Sequence, residues 1–247
     1  MSTTEIRAQT EAVVESVMEA DSFNFPDTGR SGAVRAAEAT WAPAGAAGVI
    51  KRFVDVIGAI VLGVVFMPLI VVIVFMLRRN GGPVIYMHRR VGRGGRMFPC
   101  LKFRTMVPDA DDALRELLEH NAELQAEWVR DHKLRHDPRV TQLGRFLRRT
   151  SLDELPQLVN VLRGEMSLVG PRPVVREELL RYGKNVETYL AARPGITGLW
   201  QVTGRNDTDY RRRVVLDTYY VRNQNLFLDL YILAKTTGVV LGGNGAY

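Results

Sequence analysis

Two adjacent carboxylates, Asp153 and Glu154, are the residues of this sequence best placed to do chemistry. They lie in Arg148-Arg149-Thr150-Ser151-Leu152-Asp153-Glu154-Leu155-Pro156-Gln157, with arginines before them and an apolar run over residues 158–162 after them. Ser151 and Glu154 match a Ser-x-x-Glu capping box, in which both side chains satisfy backbone donors and do nothing else. Pro156 argues against that register, because it would lie too deep in the helix to lack its hydrogen bond. A helix that starts at Asp153 keeps the proline in the first turn, where it is tolerated. Asp153 then caps that helix, whose N-terminus faces the region where an anion would sit. Capping and catalysis stand as equal readings of these residues.

Cations recur in punctuated contexts elsewhere. Met166-Ser167-Leu168-Val169-Gly170-Pro171-Arg172-Pro173 reads as a rigid turn presenting Arg172, and a second Gly/Pro-rich loop over residues 193–206 presents Arg205. Lys102-Phe103-Arg104-Thr105-Met106 ends a strand with two more cations. A diphosphate needs several donors, and arginine supplies them in a fixed fork. One such cation is ordinarily a solvated surface charge, but several in non-repetitive loops point to a shared anionic ligand. His132 and His136 have helical metal-ligand spacing without a third ligand, so they are not read as a zinc site. The Gly-Arg-Gly-Gly stretch at 92–95 reads as a turn. The single cysteine, Cys100, excludes an internal disulfide framework, suggests a reducing compartment and is read as structural.

The elements that position these residues begin with a membrane segment. Residues 56–77 carry no charge, enough for roughly 33 Å of helix at ~1.5 Å per residue. Lys51 and Arg52 flank one end and Arg78 and Arg79 the other, whereas a spanning helix normally carries its basic residues on the cytoplasmic side. Pro68 lies in mid-run and removes a backbone hydrogen bond. A re-entrant helix broken at Pro68, with both ends cytoplasmic, accounts for both features; a straight span with a tolerated proline is the alternative. Asp55 follows Lys51 by one turn, which predicts a boundary ion pair.

Residues 1–48 read as a flexible tail with one short helix near 11–19 and no signal peptide. Residues 49–80 form the membrane helix, and residues 81–247 a catalytic domain. Strands at 84–87 and 97–103 make a hairpin around the glycine turn. An amphipathic helix covers 109–130. Part of the stretch 214–241 is expected to rest on the bilayer surface, and Asp217, Arg222, Asp229 and Lys235 argue against a second span. The fold class is α+β. The net charge of +6 calls for an anionic partner, and the dispersal of the basic residues among acidic ones argues against nucleic acid.

From about Lys51 to Tyr247 the sequence resembles the bacterial sugar transferases, monotopic polyprenyl-phosphate hexose-1-phosphate transferases of the exopolysaccharide-initiating type. The resemblance is carried by Lys51-Arg52 with Asp55, residues 102–106, 150–157, 164–173 and 194–206, and Leu216-Asp217 with Tyr219-Tyr220. It implies an Asp-Glu dyad at Asp153 and Glu154. The aspartate would attack the sugar-bearing phosphorus of a UDP-sugar, UDP-galactose or UDP-glucose, release UMP and pass the phosphosugar to undecaprenyl phosphate. It further implies Mg2+ near Asp153, phosphate binding by Arg205, and supporting roles for Lys102, Arg104, Arg149 and Arg172. A re-entrant helix broken near Pro68 and a place on the cytoplasmic face of a bacterial inner membrane follow from the same resemblance, with membrane lipid and a possible homodimer as partners. Family members often carry serine before that proline, and here Met67 stands there. The rival reading is a non-catalytic adaptor that binds anionic lipid; the intact dyad with Lys102 and Arg205 counts against it.

Overall fold

A computed structural model describes residues 45–121, 123–125, 128, 134, 137–203 and 209–242. The expected tail up to residue 44, its short helix, His132, His136 and Arg205 lie outside the described residues.

Helix α1, Gly45–Arg79, is the expected membrane segment, and it runs as one helix through Pro68, where the sequence predicted a break. Its most apolar 18-residue window has a mean hydropathy of 3.2, yet only 11% of that window is buried. A core helix would bury its apolar side chains in protein; α1 leaves Val64, Val65, Val71 and Phe75 exposed. Length and composition suffice to cross a membrane. Both ends of α1 are nonetheless packed against the rest of the chain. Near its start Ala59 joins the central core with Val161, Leu168 and Trp200, and near its end Ile73 and Leu77 pack with Phe103 and Leu147.

Three side chains lock the start of α1. Lys51 pairs with Asp229 at 2.7 Å and donates to the carbonyl of Val169. Arg52 forks onto the carbonyls of Val161 and Leu162 at 2.7 and 3.1 Å. Asp55, 3% exposed, accepts from the Ser167 hydroxyl and the Leu168 amide. The ion pair expected between Lys51 and Asp55 is thus replaced by long-range partners, because the helix is docked rather than solvated on that face.

The hairpin is present. Strands β1, Ile85–Val91, and β2, Met97–Phe103, pair antiparallel with Val91 opposite Met97 and Ile85 opposite Phe103. Gly94 and Gly95 turn between them at φ +67° and +76°, conformations that glycine adopts without strain. Helix α2, Ala110–Glu119, is shorter than the expected 109–130 helix. The helix ends with His120 as its C-cap, and a new one starts where the Asn121 side chain accepts from the amides of Glu123 and Leu124, the signature of an N-cap. Helix α3, Gln142–Arg149, is capped by Thr141, whose hydroxyl accepts from the Gly144 amide at 2.9 Å.

A 3-10 turn at Leu152–Glu154 leads to helix α4, Gln157–Arg163. The two glycine-punctuated loops contain a small sheet that the sequence did not suggest: β3, Ser167–Val169, and β4, Gly195–Thr197, pair in parallel. Gly170 and Gly195 pack backbone to backbone, leaving no room for a Cβ at Gly195. Short helices α5, Val186–Ala191, and α6, Leu199–Thr203, flank β4. Helices α7, Tyr210–Asn223, and α8, Leu226–Gly242, complete the described chain, with Tyr220 and Ile232 buried in the central core. Phe227 and Leu230 on α8 are exposed, as an interfacial helix requires.

Candidate active site

Asp153 and Glu154 do not cap a helix. Ser151 adopts φ +55° and makes no side-chain cap bond, so the capping box is absent. Pro156 occupies the N-cap of α4, also without a side-chain bond, so Asp153 is not the cap either. The left-handed Ser151 turns the chain sharply between α3 and α4. The carboxylates sit on that corner and face the hairpin, where Lys102 projects from β2. Its Nζ lies 2.7 Å from Glu154 Oε1 and 3.8 Å from Asp153 Oδ2.

Asn160 sets this distance. Its side chain accepts from the Leu101 amide at 3.0 Å and donates to the Pro99 carbonyl at 2.8 Å. It thereby acts as a strand partner for the β2 edge that β1 does not use, and is itself held by Glu165 at 2.6 Å. Pro99 and Leu101, just ahead of Lys102, are thus pinned to the helix that follows the dyad. An apolar residue at position 160 would leave the buried Leu101 amide unpaired, at about 1–3 kcal/mol, and the half-buried Pro99 carbonyl without its protein donor.

The electrostatics divide the two carboxylates. Burial pushes Asp153 up to about 6; Glu154 adds to the rise, while Lys102 and Arg148 oppose it. Burial also pushes Glu154 upward, but Lys102 and Arg172, with hydrogen bonds from Lys102 and Gln157, outweigh it and hold Glu154 below its ordinary value. Paired titratable groups driven apart by their surroundings mark distinct chemical roles. At neutral pH Glu154 is a firmly ionised partner of Lys102, and Asp153 is a mostly ionised, comparatively basic carboxylate.

The structure brings Lys102, Asp153, Glu154 and Arg172 together: Lys102, Glu154 and Arg172 line one pocket with Gln157 and Gln201. Arg172 lies over the Trp200 ring at 5.9 Å, and Arg213 over the same ring at 4.6 Å. Two predicted residues stand apart. Arg104 is buried, donates to the Leu77 carbonyl at the end of α1 and packs on Gly82. Arg149 is exposed. Its neighbour Arg148 instead donates to the Thr105 hydroxyl at 2.9 Å and acts on Asp153.

Sequence reasoning missed Arg148, Gln157 and Asn160. A signal for Arg148 existed: it falls one turn after Gly144, and a glycine inside a short helix marks a close approach. Gly144 packs directly on the Thr105 backbone, so Arg148 shares that inward face. Nothing in the apolar run 158–162 announced that Asn160 was the anchor.

The dyad offers two hard oxygen donors, and among the described residues no cluster of three or more His, Cys, Asp or Glu side chains forms. Magnesium characteristically takes one or two carboxylates and completes its shell with substrate phosphates and water, so the donor set at Asp153 and Glu154 fits it.

Comparison with known proteins places this geometry. The chain is 54% identical over 198 residues to the undecaprenyl-phosphate galactose phosphotransferase of Salmonella typhimurium, covering 80% of this chain and 42% of that protein. Identity is also 54% to the UDP-galactose-lipid carrier transferase of Erwinia amylovora, again over 80% of this chain and 42% of the relative. It is 50% over 201 residues to the exopolysaccharide production protein ExoY of Rhizobium meliloti, covering 81% of this chain and 89% of that protein. The chain thus spans less than half the length of the Salmonella and Erwinia relatives. With the bacterial sugar transferase model matching residues 46–243, across the membrane helix, the dyad and both small sheets, the chain belongs to the bacterial sugar transferase family.

Proposed function

We propose that this protein transfers a hexose-1-phosphate from a UDP-sugar to undecaprenyl phosphate at the cytoplasmic face of a bacterial inner membrane, opening exopolysaccharide or glycoconjugate assembly. The observation that carries the reading is the uncapped Asp153–Glu154 pair, bridged by Lys102 and flanked by Leu152 and Leu155, which pack on the end of a helix with an exposed apolar surface. Galactose is the favoured hexose, because two relatives at 54% identity are named for it.

In this reading Asp153 is the nucleophile. Its carboxylate forms a bond to the sugar-bearing phosphorus while the bond to the UMP oxygen breaks, and UMP leaves. An oxygen of undecaprenyl phosphate then attacks the same phosphorus, the carboxylate departs, and a lipid diphosphate-sugar results. Splitting the transfer into two displacements is ordinary covalent catalysis. Lys102 and Arg148 keep Asp153 ionised despite its burial; Arg172 and Arg205 are assigned to the substrate phosphates. Magnesium held by Asp153 and Glu154 would offset charge on the diphosphate.

Membrane topology is assigned as re-entrant. From Lys51 to Leu77 a helix rises roughly 39 Å, more than the ~30 Å hydrocarbon core, so a straight span would leave its two ends on opposite sides. Docking of both ends on one domain, with Pro68 between them and basic pairs outside both, supports a return to the same side.

The test is UMP release from a panel of UDP-sugars by purified protein with magnesium and undecaprenyl phosphate. The expected result is release from UDP-galactose that depends on the lipid and is lost in Asp153→Asn. Normal turnover by Asp153→Asn refutes the nucleophile assignment.

A further inference from the structure

A cavity of about 570 Å³ opens at the N-terminal end of α1, away from the pocket that holds Lys102 and Glu154. Lys51 and Arg52 of α1, Arg93 of the hairpin turn and Arg193 ahead of β4 line it, against one carboxylate, Asp55. Lys51 is neutralised by Asp229, and the oxygens of Asp55 are taken by Ser167 and the Leu168 amide. Arg52 and Arg193 donate to neutral carbonyls, those of Val161, Leu162 and Gly164, so these bonds hold the guanidiniums in place without cancelling their charge. The cations act on one another as well: burial, then Arg93 and Arg52, destabilise the charged form of Arg193, and the Asp55 carboxylate offsets this only in part. Like charges gathered around an open space are relieved by an anion entering it.

The cavity's surroundings say which anion. Val49 and Phe53 of α1 line it and are 69% and 65% exposed. Gln224 lines it from the link between α7 and α8, and Phe227, three residues on, is 84% exposed. Large exposed apolar side chains of α1 therefore line a cationic recess, and the start of α8 beside Gln224 carries another, the arrangement of a headgroup site at a bilayer interface. Guanidinium forks fit phosphate oxygens in pairs.

We propose that this cavity holds the phosphate of an anionic membrane phospholipid, with its acyl chains along the exposed face of α1. The bound headgroup accepts hydrogen bonds from the guanidiniums and ties the start of the membrane helix to the bilayer. The site rests on the membrane placement of α1 and not on the transfer chemistry at Asp153.

The test is native mass spectrometry of the full-length protein in detergent, with dioleoylphosphatidylglycerol compared with dioleoylphosphatidylcholine. Wild type and Asp153→Asn are expected to retain one phosphatidylglycerol under conditions that strip phosphatidylcholine. Arg93→Gln and Arg193→Gln are each expected to weaken that retention about tenfold, the usual loss for one charged hydrogen bond. Arg193 also supports the Gly164 carbonyl, so its variant counts only if its unfolding midpoint matches wild type; otherwise Arg93→Gln on the turn decides. Equal retention of the two lipids, or full retention by Arg93→Gln, overturns the proposal. Displacement of phosphatidylglycerol by one equivalent of undecaprenyl phosphate, or by millimolar inorganic phosphate, also overturns it, by assigning the recess to the acceptor or to a small anion.

Discussion

Replacing Lys102 by methionine tests how the dyad is tuned. Lys102 Nζ stands 3.8 Å from Asp153 Oδ2 and is the largest influence opposing burial on that carboxyl. A cation at such a distance lowers a carboxyl pKa by roughly 1–3. Removing it raises Asp153 above its value of about 6 by the same roughly 1–3, with about 2 as the middle value. At pH 7 its ionised fraction then falls from about nine-tenths to about one-tenth, and the first displacement slows about tenfold for that reason alone. Raising the pH restores what protonation removed. UMP release by Lys102→Met, followed from pH 6 to 9, is expected to show the acid limb displaced upward by about two pH units, with most of the rate recovered at the alkaline end. Lys102→Arg keeps the charge and is expected to leave the limb near its wild-type position. A uniform loss at every pH, with the limb unmoved, would show that Lys102 serves the substrate phosphates and not the ionisation of Asp153, and would refute this reasoning.

Arg148→Gln is expected to lower turnover about tenfold or more, and Arg149→Gln much less, because Arg148 alone acts on Asp153 and Thr105; equal effects in the same assay would contradict the geometry. Asp55→Ala leaves the Leu168 amide buried without an acceptor and the Ser167 hydroxyl with the Val169 carbonyl alone, and is expected to destabilise the protein by about 1–3 kcal/mol, read as a lower unfolding midpoint in detergent. Burial pushes Asp217 up to about 8, while the Tyr182 hydroxyl donates to it at 2.8 Å. The folded state holds this proton where the unfolded chain has released it, so the associated stability is complete at low pH and is lost as pH rises through about 8. Asp217→Asn is expected to flatten that decline, and thermal unfolding between pH 5 and 8 with an unchanged slope would show that Asp217 does not cause it.

Much of the architecture was legible because it depends on local chemistry. An uncharged stretch as long as 56–77 has one economical environment, and alternating strands around a glycine turn make a hairpin wherever they occur. The dyad was visible as a pattern, but its role was not. Capping and catalysis share the same letters, and only the left-handed Ser151 and the N-cap at Pro156 separate them. The parallel pairing of β3 and β4 was hidden because each strand is three residues long and its partner lies beyond α5; periodicity cannot register so short an element.

The sequence by itself determined the membrane segment, the hairpin and the carboxylate pair, since hydropathy, turn residues and adjacency are properties of neighbours in the chain. Tertiary structure alone decided which cations serve that pair. Arg148 and Arg149 are equivalent as letters, yet the packing of Gly144 on Thr105 turns one inward and leaves the other in solvent. Lys102 and Arg104 lie two residues apart, yet Asn160 pins the strand edge so that Lys102 meets the dyad, while burial directs Arg104 to the end of α1. A charge acts through distance and dielectric, and in a folded chain both are set by residues remote in sequence.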